Sequence, residues 1–229
     1  MIRLIATDLD GTIVHDDGSV SVRTLDALAA AEQRGIRVVF VTGRPPRWMA
    51  PVARATGHHG LAVCANGAYV YDLHEEVVTQ TFAMTAASAL AAVDRLVPLL
   101  PQAAFAIETT DGFAHEPRYE PRWAVHPLLA VGPITSLIDR PVAKLLVRDE
   151  SLDGDTMLER ARPALRDIAE VTHSNVNDCL LEVSALGVSK ATTLAWLAEQ
   201  WGITREEVVA FGDMPNDLDM LRWAGLGYA

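Results

Sequence analysis

The stretch Leu4-Ile5-Ala6-Thr7-Asp8-Leu9-Asp10-Gly11-Thr12, close to the amino terminus, decides the fold. Leu4 to Ala6 is a short apolar run, which predicts a strand buried on both faces, as in a parallel sheet. The run is followed by two acids, Asp8 and Asp10, and by Gly11, which allows a sharp turn. A buried strand that leads directly into acids and a glycine predicts a polar site at its carboxyl end.

The next segments alternate between strand and helix patterns. Val38 to Val41 and Leu61 to Cys64 are further apolar runs of strand length. Between the first two strands, Ser21 is placed to cap a helix that Gly35 ends, and Pro45-Pro46 can open the next helix. Alternating strands and helices are typical of a doubly wound, Rossmann-like α/β fold with a parallel sheet.

The middle of the chain follows another pattern. Alternating residues over Tyr69 to Tyr71 and Val77 to Phe82 predict a hairpin, and Asp111-Gly112 is a hairpin-turn signal. The other predicted elements are helices over Ala86 to Val97 and Thr156 to Leu165, and strands over Ala104 to Ile107, Phe113 to His115 and Val142 to Val147. The Pro-rich stretch from Pro117 to Pro141 predicts no clear element.

The first pattern returns near the end of the chain, with a helix starting at Ser189 and a strand over Val208 to Phe211. We therefore expect a catalytic core made of residues 1–80 and 185–229. Residues 81–184 are expected to form an inserted α+β cap domain.

Composition limits the possible partners. The 229 residues are 50% apolar and carry 19 basic and 30 acidic side chains, a net charge of −11. This balance argues against nucleic acid as a partner, and no apolar stretch is long enough to span a membrane. Two cysteines, Cys64 and Cys179, cannot build a disulfide framework and favour the reducing cytoplasm. Oligomeric state cannot be inferred from these features.

Candidate site residues follow the first two strands. Asp8 and Asp10 can bind a hard cation such as Mg²⁺ and leave one carboxylate for nucleophilic or proton-transfer work. Thr42, Gly43 and Arg44 precede a helix start, where a hydroxyl, an amide and the positive end of the helix can bind phosphate. A solvated turn at Asp8-Asp10 and a plain helix cap at Thr42-Arg44 are the alternatives.

Further candidates lie in the last part of the chain. Lys190 stands in the first turn of its helix, where the helix dipole opposes a cation, so a bound anion is expected there. Asp213 and Asp217 follow the last strand and can complete an oxygen shell for Mg²⁺, or Asp217 can hold Lys190. Asn216 can donate to phosphate; alternatively, it caps the helix through Leu218.

Taken in order, four motifs carry a resemblance to a known family. They are Asp8-x-Asp10-Gly-Thr, Thr42-Gly-Arg, Gly-Val-Ser-Lys190 and Gly-Asp213-x-x-Asn216-Asp217. They resemble the motifs of the haloacid dehalogenase-like phosphatases, and more narrowly those of the Cof-type subfamily with an inserted type B cap. Asn66-Gly67-Ala68 is similar to a segment that borders the substrate cleft in that subfamily. Trp48 and Trp123 are further candidates for the border of a cleft.

The resemblance implies a mechanism. Asp8 would attack the phosphorus of a small phosphorylated metabolite and form an aspartyl-phosphate, while Asp10 would act as acid and then as base. By the same resemblance, Mg²⁺ would be held by Asp8, the main-chain carbonyl of Asp10 and Asp213, with Asp217 in support. The residues that would bind the phosphate or border it are Thr42, Gly43, Arg44, Asn66, Lys190 and Asn216.

Two points temper the resemblance. Pro215 stands where the family often has glycine, and family members continue past Gly225-Leu226-Gly227 with a further strand, a helix and a tail. We therefore expect the chain to be truncated there. The leading hypothesis is a Mg²⁺-dependent phosphatase for small phosphorylated metabolites, with sugar phosphates or related monoesters as the expected substrates. A phosphomutase or phosphotransferase of the same fold, and a non-catalytic protein that binds a phosphorylated ligand, stay open as alternatives.

Overall fold

The computed structural model describes residues 1–122, 125–173 and 178–229. Trp123, a predicted cleft residue, lies outside these ranges, as does part of the Pro-rich stretch. The described chain divides into two compact units: unit 1 comprises Met1–Thr81 and Ser189–Ala229, and unit 2 comprises Phe82–Val188. None of the helices in these ranges has the length and apolarity needed to cross a membrane.

The strands and helices are numbered in chain order. The strands are β1 Leu4–Thr7, β2 Arg37–Val41, β3 Leu61–Cys64, β4 Tyr69–Asp72, β5 Val77–Thr81, β6 Ala104–Glu108, β7 Phe113–His115, β8 Leu128–Val131, β9 Lys144–Arg148, β10 Ala169–Thr172, β11 Leu180–Ala185, β12 Val208–Phe211 and β13 Leu226–Tyr228. The helices are α1 Val22–Gln33, α2 Met49–Thr56, α3 Ala86–Leu96, α4 Ile134–Leu137, α5 Gly154–Leu165, α6 Lys190–Gln200 and α7 Leu218–Trp223.

Unit 1 is built on one sheet with the strand order β13-β12-β1-β2-β3-β4-β5. The strands from β13 to β3 run parallel, and β4 and β5 continue the sheet as an antiparallel hairpin. The central strands are buried, as the apolar runs predict. This parallel sheet brings the carboxyl ends of β1, β2 and β12 to one edge.

Helix caps fix the entry of the chain into two helices of unit 1. The hydroxyl of Ser21 accepts a hydrogen bond from the Thr24 amide at 3.1 Å and begins α1, and Gly35, at a φ of 73°, follows its end. Ser189 and Thr192 form a reciprocal capping box at the start of α6. This cap places Lys190 at the first helical position.

Unit 2 has a six-stranded sheet of its own, in the order β10-β11-β9-β6-β7-β8. Its pairs are antiparallel except for β7 with β8. One face packs with α3 and α5 into the main apolar cluster of the unit, which includes Phe105, Leu145 and Val147. A smaller cluster contains Ala104, Ala106, Phe113 and Tyr119, from alternate strand positions and a neighbouring loop.

Several elements differ from the predictions. The predicted hairpin is confirmed as β4–β5, which extends the first sheet. β10 and β11 were not predicted, and the Pro-rich stretch contains β8 and α4. The strand predicted from Val142 begins at Lys144, because Val142 pairs with Met84 in an isolated bridge outside the sheet. Leu226 to Tyr228, for which no strand was named above, forms β13, parallel to β12.

Candidate active site

The predicted site residues of unit 1 converge from four chain segments. Asp8 follows β1, Thr42 follows β2, Asp213 follows β12 at one residue's distance, and Lys190 begins α6. Parallel pairing explains the convergence: Thr7 pairs with Phe40 on one side and with Phe211 on the other. Polar residues just beyond these positions therefore meet at one edge of the sheet.

A buried lysine stands at the centre of this site. Lys190 Nζ donates to Asp8 Oδ1 at 2.6 Å and to Asp217 Oδ1 at 2.7 Å. Lys190 is 2% exposed, Asp8 5% and Asp217 0%. The two carboxylates supply the anion expected beside Lys190 and compensate its unfavourable position at the helix start. One ammonium group shared by two carboxylates leaves a surplus of negative charge.

Burial and charge shift the pKa values of this group. Burial is the largest influence on Asp8; together with the nearby charge of Asp217 it outweighs Lys190 and raises the Asp8 pKa to about 6. Burial alone would lower the pKa of Lys190, but Asp8 and Asp217 outweigh it and raise that pKa above its ordinary value. Lys190 is therefore a fixed positive charge beside a carboxylate that exchanges protons near neutrality.

Three carboxylates gather around this point. Oxygen atoms of Asp8, Asp213 and Asp217 lie within 4.8 Å of one another. Asp217 Oδ2 accepts from the amide of Asp213 at 3.2 Å, which holds the turn after β12 in place. Thr12 Oγ1 donates to Asp213 Oδ1 at 3.1 Å, a contact that the sequence did not single out.

The cluster fits the Mg²⁺ ion that the sequence implies. Its donors are all hard oxygens, with more negative charge than Lys190 neutralises. Gly11 makes room for the Asp213 carboxylate, because a Cβ at position 11 would stand 2.3 Å from Asp213 Oδ2. The φ of 84° at Gly11 also disfavours other residues. The close approach of Gly11 to Asp213 is the physical reason for a glycine in the first motif.

Asp10 lies apart from the three clustered carboxylates. Its side chain is exposed and pairs with Arg44, whose Nε donates to Asp10 Oδ2 at 2.8 Å and whose Nη2 contacts Asp10 Oδ1. The hydrogen bond to Asp10 is also the largest cause of the raised pKa of Arg44. The structure thus places the Arg44 guanidinium on a protein carboxylate, where the sequence predicted a phosphate.

The remaining predicted phosphate ligands lie in the loops beside β2, β3 and β12. Thr42 is buried, and its hydroxyl accepts from the Arg44 amide at 3.0 Å; Gly43 stands half-buried between them. Asn216 Nδ2 donates to Asn66 Oδ1 at 3.2 Å. The alternative role of Asn216 as a helix cap is wrong, because α7 begins after Asp217 and Asn216 makes this contact instead.

The loop after β3 is held against α6. Asn66 has a φ of 56°, and Gly67 a φ of 108°. Thr193 Oγ1 donates to the Gly67 carbonyl at 2.7 Å, and a Cβ at Gly67 would lie 2.4 Å from the carbonyl oxygen of Ser189. Gly67 therefore lets the loop approach the start of α6, next to Lys190. Thr193 was missed from the sequence because its partner is a backbone atom.

Comparison with known proteins agrees with this geometry. Residues 5–229 match the family described as haloacid dehalogenase-like hydrolase. The chain is 28% identical over 230 residues to 5-amino-6-(5-phospho-D-ribitylamino)uracil phosphatase YcsE of Bacillus subtilis, an alignment that covers 100% of this chain and 83% of the relative. It is also 28% identical over 241 residues to pyridoxal phosphate phosphatase YbhA of Escherichia coli, with coverage of 99% and 87%.

Solved structures show the same fold. BT1666 of Bacteroides thetaiotaomicron, described among the phosphatases of the haloalkanoate (HAD) enzyme superfamily, superimposes with a TM-score of 0.79 at 25% identity. The superposition covers 99% of this chain and 83% of that one. With four motifs brought to one edge of a Rossmann-like sheet, the chain belongs to the haloacid dehalogenase-like hydrolases, as a phosphatase of the Cof type.

Proposed function

We propose that the protein is a Mg²⁺-dependent phosphatase that hydrolyses small phosphomonoesters, sugar phosphates among them, through an aspartyl-phosphate formed on Asp8. Unit 1 would be the catalytic core and unit 2 the cap. One observation carries the proposal: the buried ammonium group of Lys190 lies between the Asp8 and Asp217 carboxylates, beside a third carboxylate, Asp213.

Charge is the main obstacle to this reaction. A carboxylate nucleophile and a phosphate dianion repel each other, most strongly in a protein with a net charge of −11. Lys190 supplies one buried positive charge directly beside Asp8. The cation would be held by Asp8, Asp213 and the main-chain carbonyl of Asp10, with Asp217 in support, and when bound it would neutralise charge on the phosphoryl group.

The protein side chains have distinct roles in the proposed steps. Asp8 forms a bond to phosphorus as the bond to the leaving oxygen breaks, and Asp10 delivers a proton to that oxygen. In the second half, Asp10 takes a proton from water, which attacks phosphorus and releases Asp8. Asp10 must exchange its contact with Arg44 for the leaving group in order to act.

Six residues are proposed to bind the substrate phosphate or to border it. They are Thr42, Gly43, Arg44, Asn66, Lys190 and Asn216. The hydroxyl of Thr42 and the amide of Asn216 are neutral donors, which position phosphoryl oxygens without adding charge. Lys190 adds a positive charge that stabilises the negative charge on the phosphoryl oxygens in the transition state.

The named substrates of the relatives support the substrate class. YcsE acts on a phosphorylated ribitylamino compound and YbhA on pyridoxal phosphate, both small phosphomonoesters. The first carries its phosphate on a ribityl chain, which favours phosphorylated sugars and sugar alcohols for this chain. The cytoplasm is the proposed compartment, since Cys64 and Cys179 are thiols that form no disulfide.

The direct test is phosphate release from a panel of some dozens of phosphomonoesters, with and without Mg²⁺. We expect release that requires Mg²⁺ and is strongest with sugar phosphates. Transfer of phosphate to an added sugar would point instead to a phosphotransferase or phosphomutase. Binding of substrate without any release or transfer would contradict the phosphatase and favour a binding protein.

A further inference from the structure

A second charged site lies within unit 2, on the strand β9. Leu145 and Val147 belong to the main apolar cluster of the unit, whereas Leu146 packs against the smaller cluster. Because side chains alternate along a strand, Arg148 projects to the same side as Leu146. Arg148 is paired across the sheet with Ala104 on one side and with Leu180 on the other.

Arg148 is deeply buried with hydrogen-bonding capacity left over. It is 6% exposed, and its Nε and Nη1 atoms find no acceptor in the ranges that the structure covers. Its guanidinium carbon lies 5.4 Å from the centre of the Tyr119 ring, itself 4% exposed. Buried donors of a charged group are costly unless an acceptor reaches them, and the described residues supply none to these two atoms.

A carboxylate lies close to Arg148 without a hydrogen bond to its Nη1 atom. Asp178 is the carboxylate nearest to Arg148, but its Oδ1 lies 3.8 Å from Arg148 Nη1, beyond hydrogen-bond length. The same Oδ1 accepts from Nη1 of Arg122, which is half exposed. Two guanidinium groups thus lie beside the Asp178 carboxylate, while the nearby Glu182 carboxylate pairs with Lys144.

We propose that Arg148, with Arg122 and Tyr119, forms a binding site for a small anionic group, a carboxylate or a phosphate. Guanidinium groups recognise both, and the phenol ring supplies an apolar wall with a polar tip. The ligand is a free small anion that binds within unit 2.

The test measures binding independently of catalysis. The protein is first freed of divalent ions on a chelating resin, and its melting temperature is then measured at increasing sulfate concentrations. Without a divalent ion, the carboxylates around Asp8 repel sulfate, which leaves the unit 2 site as its target. We expect a rise of about 3 °C at roughly 20 mM sulfate. Arg148→Gln should abolish this rise, and Arg95→Gln, at an exposed arginine that pairs with Asp167, should keep it.

The proposal is overturned if sulfate leaves the wild-type melting temperature unchanged, or if it raises wild type and Arg148→Gln equally. Should Arg148→Gln not fold, Arg148→Lys and Tyr119→Phe take its place. Lysine keeps the charge but not the planar fork, so a weaker response is expected from Arg148→Lys. A full response in both replacement variants would equally contradict the site.

Discussion

Units 1 and 2 contain charge clusters of opposite sign. In unit 1, two carboxylates, Asp8 and Asp217, share the ammonium group of Lys190. In unit 2, two guanidinium groups, Arg122 and Arg148, share the carboxylate of Asp178. The first cluster has an excess of negative charge and the second an excess of positive charge.

A third buried group of charges lies in unit 2. The side chains of Lys144 and Glu182 are 5% and 7% exposed and form an ion pair. Glu108, 5% exposed, stands opposite Lys144 in the register of the sheet. A buried charge is costly unless a partner compensates it, which supports the proposals of a cation beside Asp8 and an anion beside Arg148.

The largest expected effect comes from removing the nucleophile. Asp8→Asn should lower kcat by at least about 10³-fold, because an amide cannot form the acyl phosphate. The substitution should not lower the free energy of unfolding. A carboxyl pKa raised by folding means that stability falls as pH rises through that range, so at pH 7 the ionised Asp8 opposes folding.

Asp8→Asn is measured by phosphate release and by thermal melting at pH 7, with Asp167→Asn on the surface of unit 2 as the matched control. We expect an inactive variant that melts no lower than the wild type and a control that behaves as the wild type. Unchanged turnover in Asp8→Asn would refute the assignment of the nucleophile.

Substitution of the two buried lysines tests whether the carboxylates beside Lys190, unlike those beside Lys144, are placed to bind a cation. Lys190→Met and Lys144→Met should each lower the free energy of unfolding by about 3–5 kcal/mol, because each leaves buried carboxylate charge uncompensated. Mg²⁺ should restore part of the stability of Lys190→Met only, since its carboxylates are placed to bind a cation. Denaturant unfolding with and without Mg²⁺ measures this; equal restoration in both variants would remove the distinction between the clusters.

Two glycines test the geometry of the cation site. Gly11→Ala should weaken Mg²⁺ activation by roughly 10- to 100-fold, because the new Cβ would displace Asp213. Gly187 has a similar φ of 74° but nothing within 4 Å of an added Cβ. Gly187→Ala should therefore show only the strain of a positive φ, about 1 kcal/mol, with an unchanged Mg²⁺ requirement. Equal Mg²⁺ requirements in the two variants would exclude Asp213 as a ligand.

The smallest expected effect is on the pH dependence of metal binding. With an Asp8 pKa of about 6, this carboxylate is about nine-tenths ionised at pH 7 and about one-tenth at pH 5. Protons compete with the metal, so Mg²⁺ affinity should fall about tenfold between these values. Calorimetric titration with Mg²⁺ at several pH values measures this affinity in the wild type and in Asp8→Asn. The same dependence of Mg²⁺ affinity on pH in both proteins would assign the effect to another group.

The sequence predicted the fold of unit 1 well because its buried strands are continuous apolar runs that end in polar motifs. It failed for β10 and β11, short strands of unit 2 whose connecting stretch contains neither glycine nor proline. The Pro-rich stretch hid β8 and α4, since proline suppresses the pattern on which both predictions depend.

The sequence named the residues of the candidate site, but it did not predict most of the hydrogen bonds and ion pairs between them. That Lys190 lies near Asp217 could be proposed from the motifs, whereas the attachment of Arg44 to Asp10 joins residues 34 positions apart through a long flexible side chain. Likewise, the role of Gly11 follows only from its distance to Asp213, which sequence spacing does not contain.

The central claim is that Asp8 forms a covalent intermediate, and the most direct measurement is mass spectrometry of acid-quenched protein. Asp10→Asn, in which water activation is slowed, is mixed with Mg²⁺ and the best substrate from the panel, quenched and digested. The account predicts one added phosphoryl group on the peptide that contains Asp8, absent when Asp8 is also changed to Asn. A phosphoryl group on another residue, or turnover by the wild type with no labelled peptide in this variant, would contradict it.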